Sequence, residues 1–201
     1  MMLQTTKDGN IGPGPACLIR AVVILGLLWG TAYAETTRAR LVHESIEKTV
    51  QTAGDPLTPG LVMEKVDQAC RILEREGEAA FQHFHGKNSP FIFSGTYLWV
   101  HTLKDSKMKF HPINPSLEGK HWLYMRDIKG KLYFAQFNEV AVRENGGWVE
   151  YYWPRPGQRK PLLKVTYVKK CVHNGIEYVV ACGIYGLSAA DVNRIMGTDG
   201  P

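Results

Sequence analysis

The sequence predicts an α+β fold, with long N-terminal helices packed on an antiparallel sheet of about five to six strands. Three observations lead there. Apolar residues recur every three or four positions as far as about residue 84, and every second position from residue 91 onward. The turns between the alternating segments are mostly short and rich in Gly, Asn, Asp and Pro, which suits hairpins rather than parallel crossovers. Helical periodicity comes first and strand periodicity after it, so the two kinds of element are segregated. With 201 residues, 44% apolar and 21% charged, the chain is sufficient for one hydrophobic core and far from a disordered composition.

Residues 1–34 carry a targeting layout. Lys7 and Arg20 precede the apolar run AVVILGLLWG (residues 21–30), and Ala32-Tyr33-Ala34 places small residues at −3 and −1 of a cleavage site, with Glu35 first in the mature chain. The uncharged stretch 21–34 is 14 residues, whereas a spanning helix needs roughly 20. An exported protein, periplasmic or secreted, is the expectation, with an uncleaved anchor as the alternative. Cys17 lies before the apolar run, unlike a lipoprotein cysteine. Export permits disulfides, but the remaining cysteines, Cys70, Cys171 and Cys182, are odd in number, so at least one is free. Cys70 reads as core, and no disulfide framework is expected.

Residues 35–60 form a helical segment and turn. Leu41, Val42, Ile46 and Val50 are at helical spacing, and TAGDPLTPG (52–60) breaks the helix. A second helix is read over 61–84, with Val62, Val66, Ala69, Cys70, Leu73 and Ala80 among its apolar stripe and Glu64, Lys65, Gln68, Arg71, Arg75 and Glu78 opposite. Strands are read at 94–102, 107–111, 131–141, 148–153, 163–171 and 176–185. Asn174-Gly175 is a two-residue hairpin turn, which sets 171 opposite 178 and 167 opposite 182, so Cys171 and Cys182 do not face each other. The longest connection, 112–127, sits mid-sheet, where binding loops occur. Ser188 and Asp191 make a capping-box start to a short last helix, and 197–201 is a tail.

Six segments fall in a fixed order: GTYLWV (95–100), KFHPINPSLEGK (109–120), RDIKGK (126–131), GGWVEYYWPRPG (146–157), KVTYVKK (164–170) and ACGIYG (181–186). Together they resemble the single Cache domain, type 2, over about residues 61–186. The resemblance implies a PAS-like sheet in one sensory domain spanning 61–196. It further implies a free-standing extracytoplasmic sensor that takes a small organic anion such as acetate, lactate or pyruvate. Such a domain is expected to act through a membrane sensor or chemoreceptor partner. The positions the resemblance brings forward are Tyr97, Trp99, His111, Tyr151, Trp153, Lys164 and Tyr167.

Read by themselves, the residues agree in part. A buried carboxylate needs cationic or hydroxyl donors and an apolar wall. Tyr97, Trp99 and His101 share one strand face, as do Val149, Tyr151 and Trp153, while Trp148, Glu150 and Tyr152 take the other. Which face meets a pocket is open, and aromatics on strands equally serve as core. His111 before Pro112 is either a ligand contact or a turn histidine bonded to backbone. Lys164 and Tyr167 differ in parity, so a regular strand aims only one of them inward unless it bulges. Arg126 can fork onto a carboxylate, with a surface role beside Asp127 as the alternative. A dissociation constant near 1 μM needs about 8 kcal/mol, and one charge-assisted hydrogen bond supplies roughly 1.5–3, so any site is composite.

Other classes fit poorly. A net charge of +5 from 24 basic and 19 acidic residues, without a dense basic stripe, excludes a nucleic-acid footprint. His83 and His85 are two apart, which separates them on a helix, and no HExxH, CxxC or GxSxG occurs. No metal, cofactor or enzymatic activity is expected. The remaining alternative is a protein-interaction module with a vestigial pocket, against which the charged outward side of the second helix argues.

Overall fold

The computed structural model describes residues 15–197, with side chains from residue 33 onward. Residues 1–14, including Lys7, and the tail from 198 lie outside the described residues. From Pro15 the stretch read as a targeting segment forms the first part of α1 (Pro15–Gln51). The chain divides between residues 39 and 40, and the unit that begins at Arg40 carries the sheet. Among the described residues no helix is long and apolar enough to cross a membrane.

α2 (Pro59–Glu76) starts where Thr58 caps it, accepting from the Leu61 amide at 3.2 Å, with proline at the first helical position. It stops at Gly77, which has φ +60° and whose amide closes on the Leu73 carbonyl. A 3-10 turn (Gly77–His83) follows. The helix read over 61–84 is therefore two pieces: a side chain at Gly77 would need positive φ and would meet the His173 ring at 2.6 Å.

The sheet contains β1 (Ile92–Phe93), β2 (Thr96–Thr102), β3 (Met108–Phe110), β4 (Gly147–Pro154), β5 (Pro161–His173) and β6 (Ile176–Tyr185). Its order is β1-β2-β6-β5-β4, with β3 also on β2, and every pairing is antiparallel. The β5–β6 hairpin turns at Asn174-Gly175, both at positive φ, and pairs Cys171 with Tyr178 and Tyr167 with Cys182, as its two-residue turn requires. The fold is the α+β class read from the sequence.

One expected strand is a helix. Residues 131–141 form α3 (Tyr133–Ala141), in which Tyr133, Phe134, Phe137, Val140 and Ala141 are buried. Their spacing is three and four, a helical stripe that the surrounding period-two pattern obscured. The last helix, α4 (Ala189–Met196), starts with the expected box: Ser188 Oγ accepts from the Asp191 amide at 3.1 Å, and Asp191 accepts from the Ser188 amide at 2.9 Å.

Each face of the sheet has its own core. On one face Leu98, Val100, Val165, Tyr167, Val180, Cys182 and Ile184 pack against the stripe of α2. On the other, Tyr97, Trp99, Val149, Tyr151, Val168, Val179 and Ala181 pack against α3. A Cys70–Cys171 disulfide, Cα–Cα 5.5 Å, ties α2 to β5 and corrects the reading of Cys70 as a core thiol without a bridge. Among the described residues Cys182 is the free cysteine, buried in the sheet. Chain spacing alone does not bring residues 101 positions apart together; the packing of the α2 stripe on β5 does.

Candidate ligand-binding cavity

The α3 face of the sheet holds a cavity of about 20 Å³, with Tyr97 and Trp99 from β2, Tyr151 and Trp153 from β4, and Lys164 from β5 in its wall. His111, just past β3, and Leu117 and Trp122 of the following loop close one side, and Tyr133, Phe134 and Phe137 of α3 form the roof. Alternation along β2, β4 and β5 turns these side chains to one face. The rings interlock: Tyr133 stacks on Tyr151 at 4.6 Å between centroids, and His111 lies 5.1 Å from Tyr97.

Six of the eight residues named from the sequence, Tyr97, Trp99, His111, Tyr151, Trp153 and Lys164, therefore meet at one place. Tyr167 does not. β5 runs in regular register without a bulge, so its odd positions turn to α2, where Tyr167 is buried and its hydroxyl donates to the Asn145 carbonyl. Arg126 is exposed, and its guanidinium donates to the Gly130 carbonyl at 2.6 Å, closing its own turn. Both sit away from the cavity.

The electrostatics are those of a buried, largely apolar site. Lys164 is fully buried, and its Nζ lies 4.7–4.8 Å from the ring centroids of Tyr97, Trp99 and Tyr185. Burial pulls its pKa down to about 7. Among the described residues three cavity donors are buried without a hydrogen-bond partner: Lys164 Nζ, Trp99 Nε1 and Tyr133 OH. The His111 ring is positioned by the Asn114 amide, which donates to Nδ1 at 3.0 Å, so the neutral ring carries its proton on Nε2. Burial, aided by the Lys164 charge, holds that ring down at about 3. His111 is thus both turn histidine and cavity wall. Burial also raises Tyr97 to about 12 and Tyr133 and Tyr151 well above the ordinary phenol range.

Two residues that shape the site were not legible as such. Tyr133 lies in a stretch whose pattern reads as a strand, which hides its place over Tyr151. Gly183 lies opposite Thr166 on β6, and a Cβ there would come within 2.6 Å of Lys164 Cε. The missing side chain is what lets the lysine stem cross the sheet face. The pair of a strand glycine facing a buried lysine is a weak signal that only the register makes readable.

An antiparallel sheet with a small cavity on one face and a helix layer on each side is the architecture of a PAS-like sensor domain. The family described as Single Cache domain 2 matches residues 35–194, and the chain belongs to that family. It is 35% identical over 175 residues to the methyl-accepting chemotaxis protein McpP of Pseudomonas putida, a match covering 83% of this chain but only 29% of that receptor's length. A solved structure described as giving the structural basis for carboxylic acid recognition by a Cache chemosensory domain superposes with a TM-score of 0.53. It is 26% identical, over 63% of this chain and 91% of that one. A methyl-accepting chemotaxis protein from Vibrio parahaemolyticus shares the fold, with a TM-score of 0.51 and 21% identity over 61% of this chain and 82% of that one. The family is one of ligand-sensing domains, not of enzymes.

Proposed function

We propose that this chain is an exported sensor domain that reversibly captures a small organic carboxylate in the α3-face cavity. The observation that carries the reading is the convergence of three unpartnered donors, Lys164 Nζ, Trp99 Nε1 and Tyr133 OH, inside one aromatic wall. A buried donor without a partner costs about 1–3 kcal/mol, more when charged, and an anion with two acceptor oxygens satisfies several at once. Three such bonds and the aromatic burial reach the energy of micromolar binding, which a lone lysine does not. Recognition of a carboxylic acid by a related Cache domain supports the same class.

The cavity as it stands holds little more than a water. Entry of an acid with two or three carbons therefore requires the 112–132 loop or α3 to yield and close again, and that movement is the signal. A chemoreceptor or membrane sensor is the expected recipient, in line with the relative of this chain. The leader at 1–34, cleaved before Glu35, would place the domain in the periplasm or outside the cell.

A thermal-shift screen of the protein against small carboxylates, amines, sugars and metals tests the reading. A bound acid at a hundredfold excess over its Kd stabilises by about 2.7 kcal/mol. A shift with one acid that is lost in Lys164→Met supports carboxylate capture. A shift with amines or sugars alone, or with nothing, overturns it.

A further inference from the structure

Among the described residues Lys164 has no counter-charge. The groups around it come from every element packed on the cavity: Tyr97 and Trp99 of β2, Tyr185 of β6, Tyr151 of β4, His111 after β3 and Tyr133 of α3, with the Cys182 thiol of β6 close by on the other face of the sheet. None of them is anionic near neutral pH. Burial holds the tyrosines protonated and lifts the Cys182 thiol to about 11, and it keeps His111 neutral. The acids of the adjoining loop are engaged elsewhere. Glu118 accepts from the His111 amide at 2.9 Å, and Asp127 accepts from the amides of Lys129, Lys131 and Tyr152 at 2.8–3.1 Å. Aromatic faces alone compensate a desolvated ammonium only in part.

We infer that the cavity takes up an organic anion together with a proton, which the uncompensated, buried Lys164 amine receives and holds as an ammonium beside the bound anion. The inference rests on the carboxylate reading. The balance is simple: R–COO⁻, a proton from solvent and the Lys164 amine give a carboxylate hydrogen-bonded to the Lys164 ammonium, and no covalent bond between heavy atoms changes. The anion brings the missing charge to hydrogen-bond range, which favours the charged lysine. By linkage the proton favours the anion equally. The domain thus reads the product of anion and proton concentrations. Its apparent affinity falls about tenfold per pH unit above the range in which the empty-cavity lysine titrates and is level just below it.

Titration calorimetry of the full chain with acetate, lactate and pyruvate tests this, at about pH 8.5 and about pH 6, each in two buffers of different ionisation heat whose own pKa lies near that pH. At the higher pH the apparent enthalpy is expected to differ between buffers by the equivalent of close to one proton taken up per anion bound; at the lower pH the difference should be much smaller. Lys164→Met, close in shape to the native side chain, should lose binding. Without ligand it should melt higher than the native protein at about pH 6, the gap narrowing toward about pH 10 as the native lysine and its unfolded counterpart both become neutral. Binding with equal heats in both buffers at the higher pH overturns proton uptake and leaves carboxylate capture standing. No binding of any of the three acids at either pH overturns the carboxylate reading and the inference with it. A Lys164→Met protein that binds as tightly as the native one overturns the role of the lysine.

Discussion

Tyr133 and Gly183 are where single residues decide the site. The Tyr133 hydroxyl is buried without a partner, so Tyr133→Phe should leave the melting temperature of the empty protein unchanged or raise it. The same change should weaken binding of the acid found in the screen about 10–100-fold, the share of one hydrogen bond to a charged group. Calorimetry on the native and Phe proteins checks both halves. Gly183→Ala acts differently. Its methyl would enter the space of Thr166 and of the Lys164 stem, so carboxylate binding should be lost and the melting temperature should fall. An alanine variant that binds normally would show that the lysine reaches the cavity by another path.

At the scale of elements, α3 roofs the cavity, and a short, partly buried chain fixes it. His101 Nε2 of β2 lies 3.0 Å from Asn138 Oδ1 of α3, and Asn138 Nδ2 donates to Ser106 Oγ at 2.8 Å. Asn138→Leu strands both partners, and His101 is fully buried with its other nitrogen already unpaired. The expected loss is about 2–5 kcal/mol of unfolding free energy, measurable by denaturant titration, together with faster hydrogen exchange confined to α3. The α2 layer is held by the Cys70–Cys171 bridge instead, which closes a loop across a separation of 101 residues. Constraining a loop of that length is worth about 4–5 kcal/mol in the chain-entropy account. Cys70→Ser with Cys171→Ser should lower the melting temperature by many degrees while leaving the cavity residues in place, since the bridge lies on the opposite face of the sheet. A double variant as stable as the native chain would mean that α2 packing alone supports that face.

Over the whole molecule, the buried ionisable groups set how stability depends on pH. His101 is held neutral, down to about 4, and His111 down to about 3, both by burial. An unfolded histidine binds its proton near 6.5. The unfolded chain therefore carries more protons between about pH 6.5 and about pH 3–4, and stability falls as pH drops through that window. Lys164 works over a higher window. Its folded value, about 7, lies below the unfolded 10.5, so stability also falls as pH drops from about 10.5 to about 7 and is level below that on its account. Melts across pH should show both slopes, the alkaline one reduced when a carboxylate occupies the cavity because the bound anion raises the lysine. An alkaline slope that is unchanged by saturating acid would contradict a contact between anion and Lys164.

Much of this was legible in the chain itself. Strand alternation placed Tyr97 with Trp99 and Tyr151 with Trp153, and the two-residue turn at Asn174-Gly175 fixed the register that sets Tyr167 opposite Cys182, because hairpin geometry and side-chain period are local properties. The thread of six segments named the family for the same reason: it is a linear pattern. What the chain did not decide is non-local. Which sheet face is roofed by a helix, that Lys164 faces the cavity while Tyr167 faces α2, and that Cys70 meets Cys171 all depend on how amphipathic layers pack. The helix at Tyr133–Ala141 belongs here too, since a nine-residue stripe between strands reads equally as alternation until the packing partner is known. Local sequence determined most of the elements, α3 apart, and most of the cavity's residue types; only burial, which is a property of the assembled layers, left three donors without partners and a lysine without a counter-charge among the described residues.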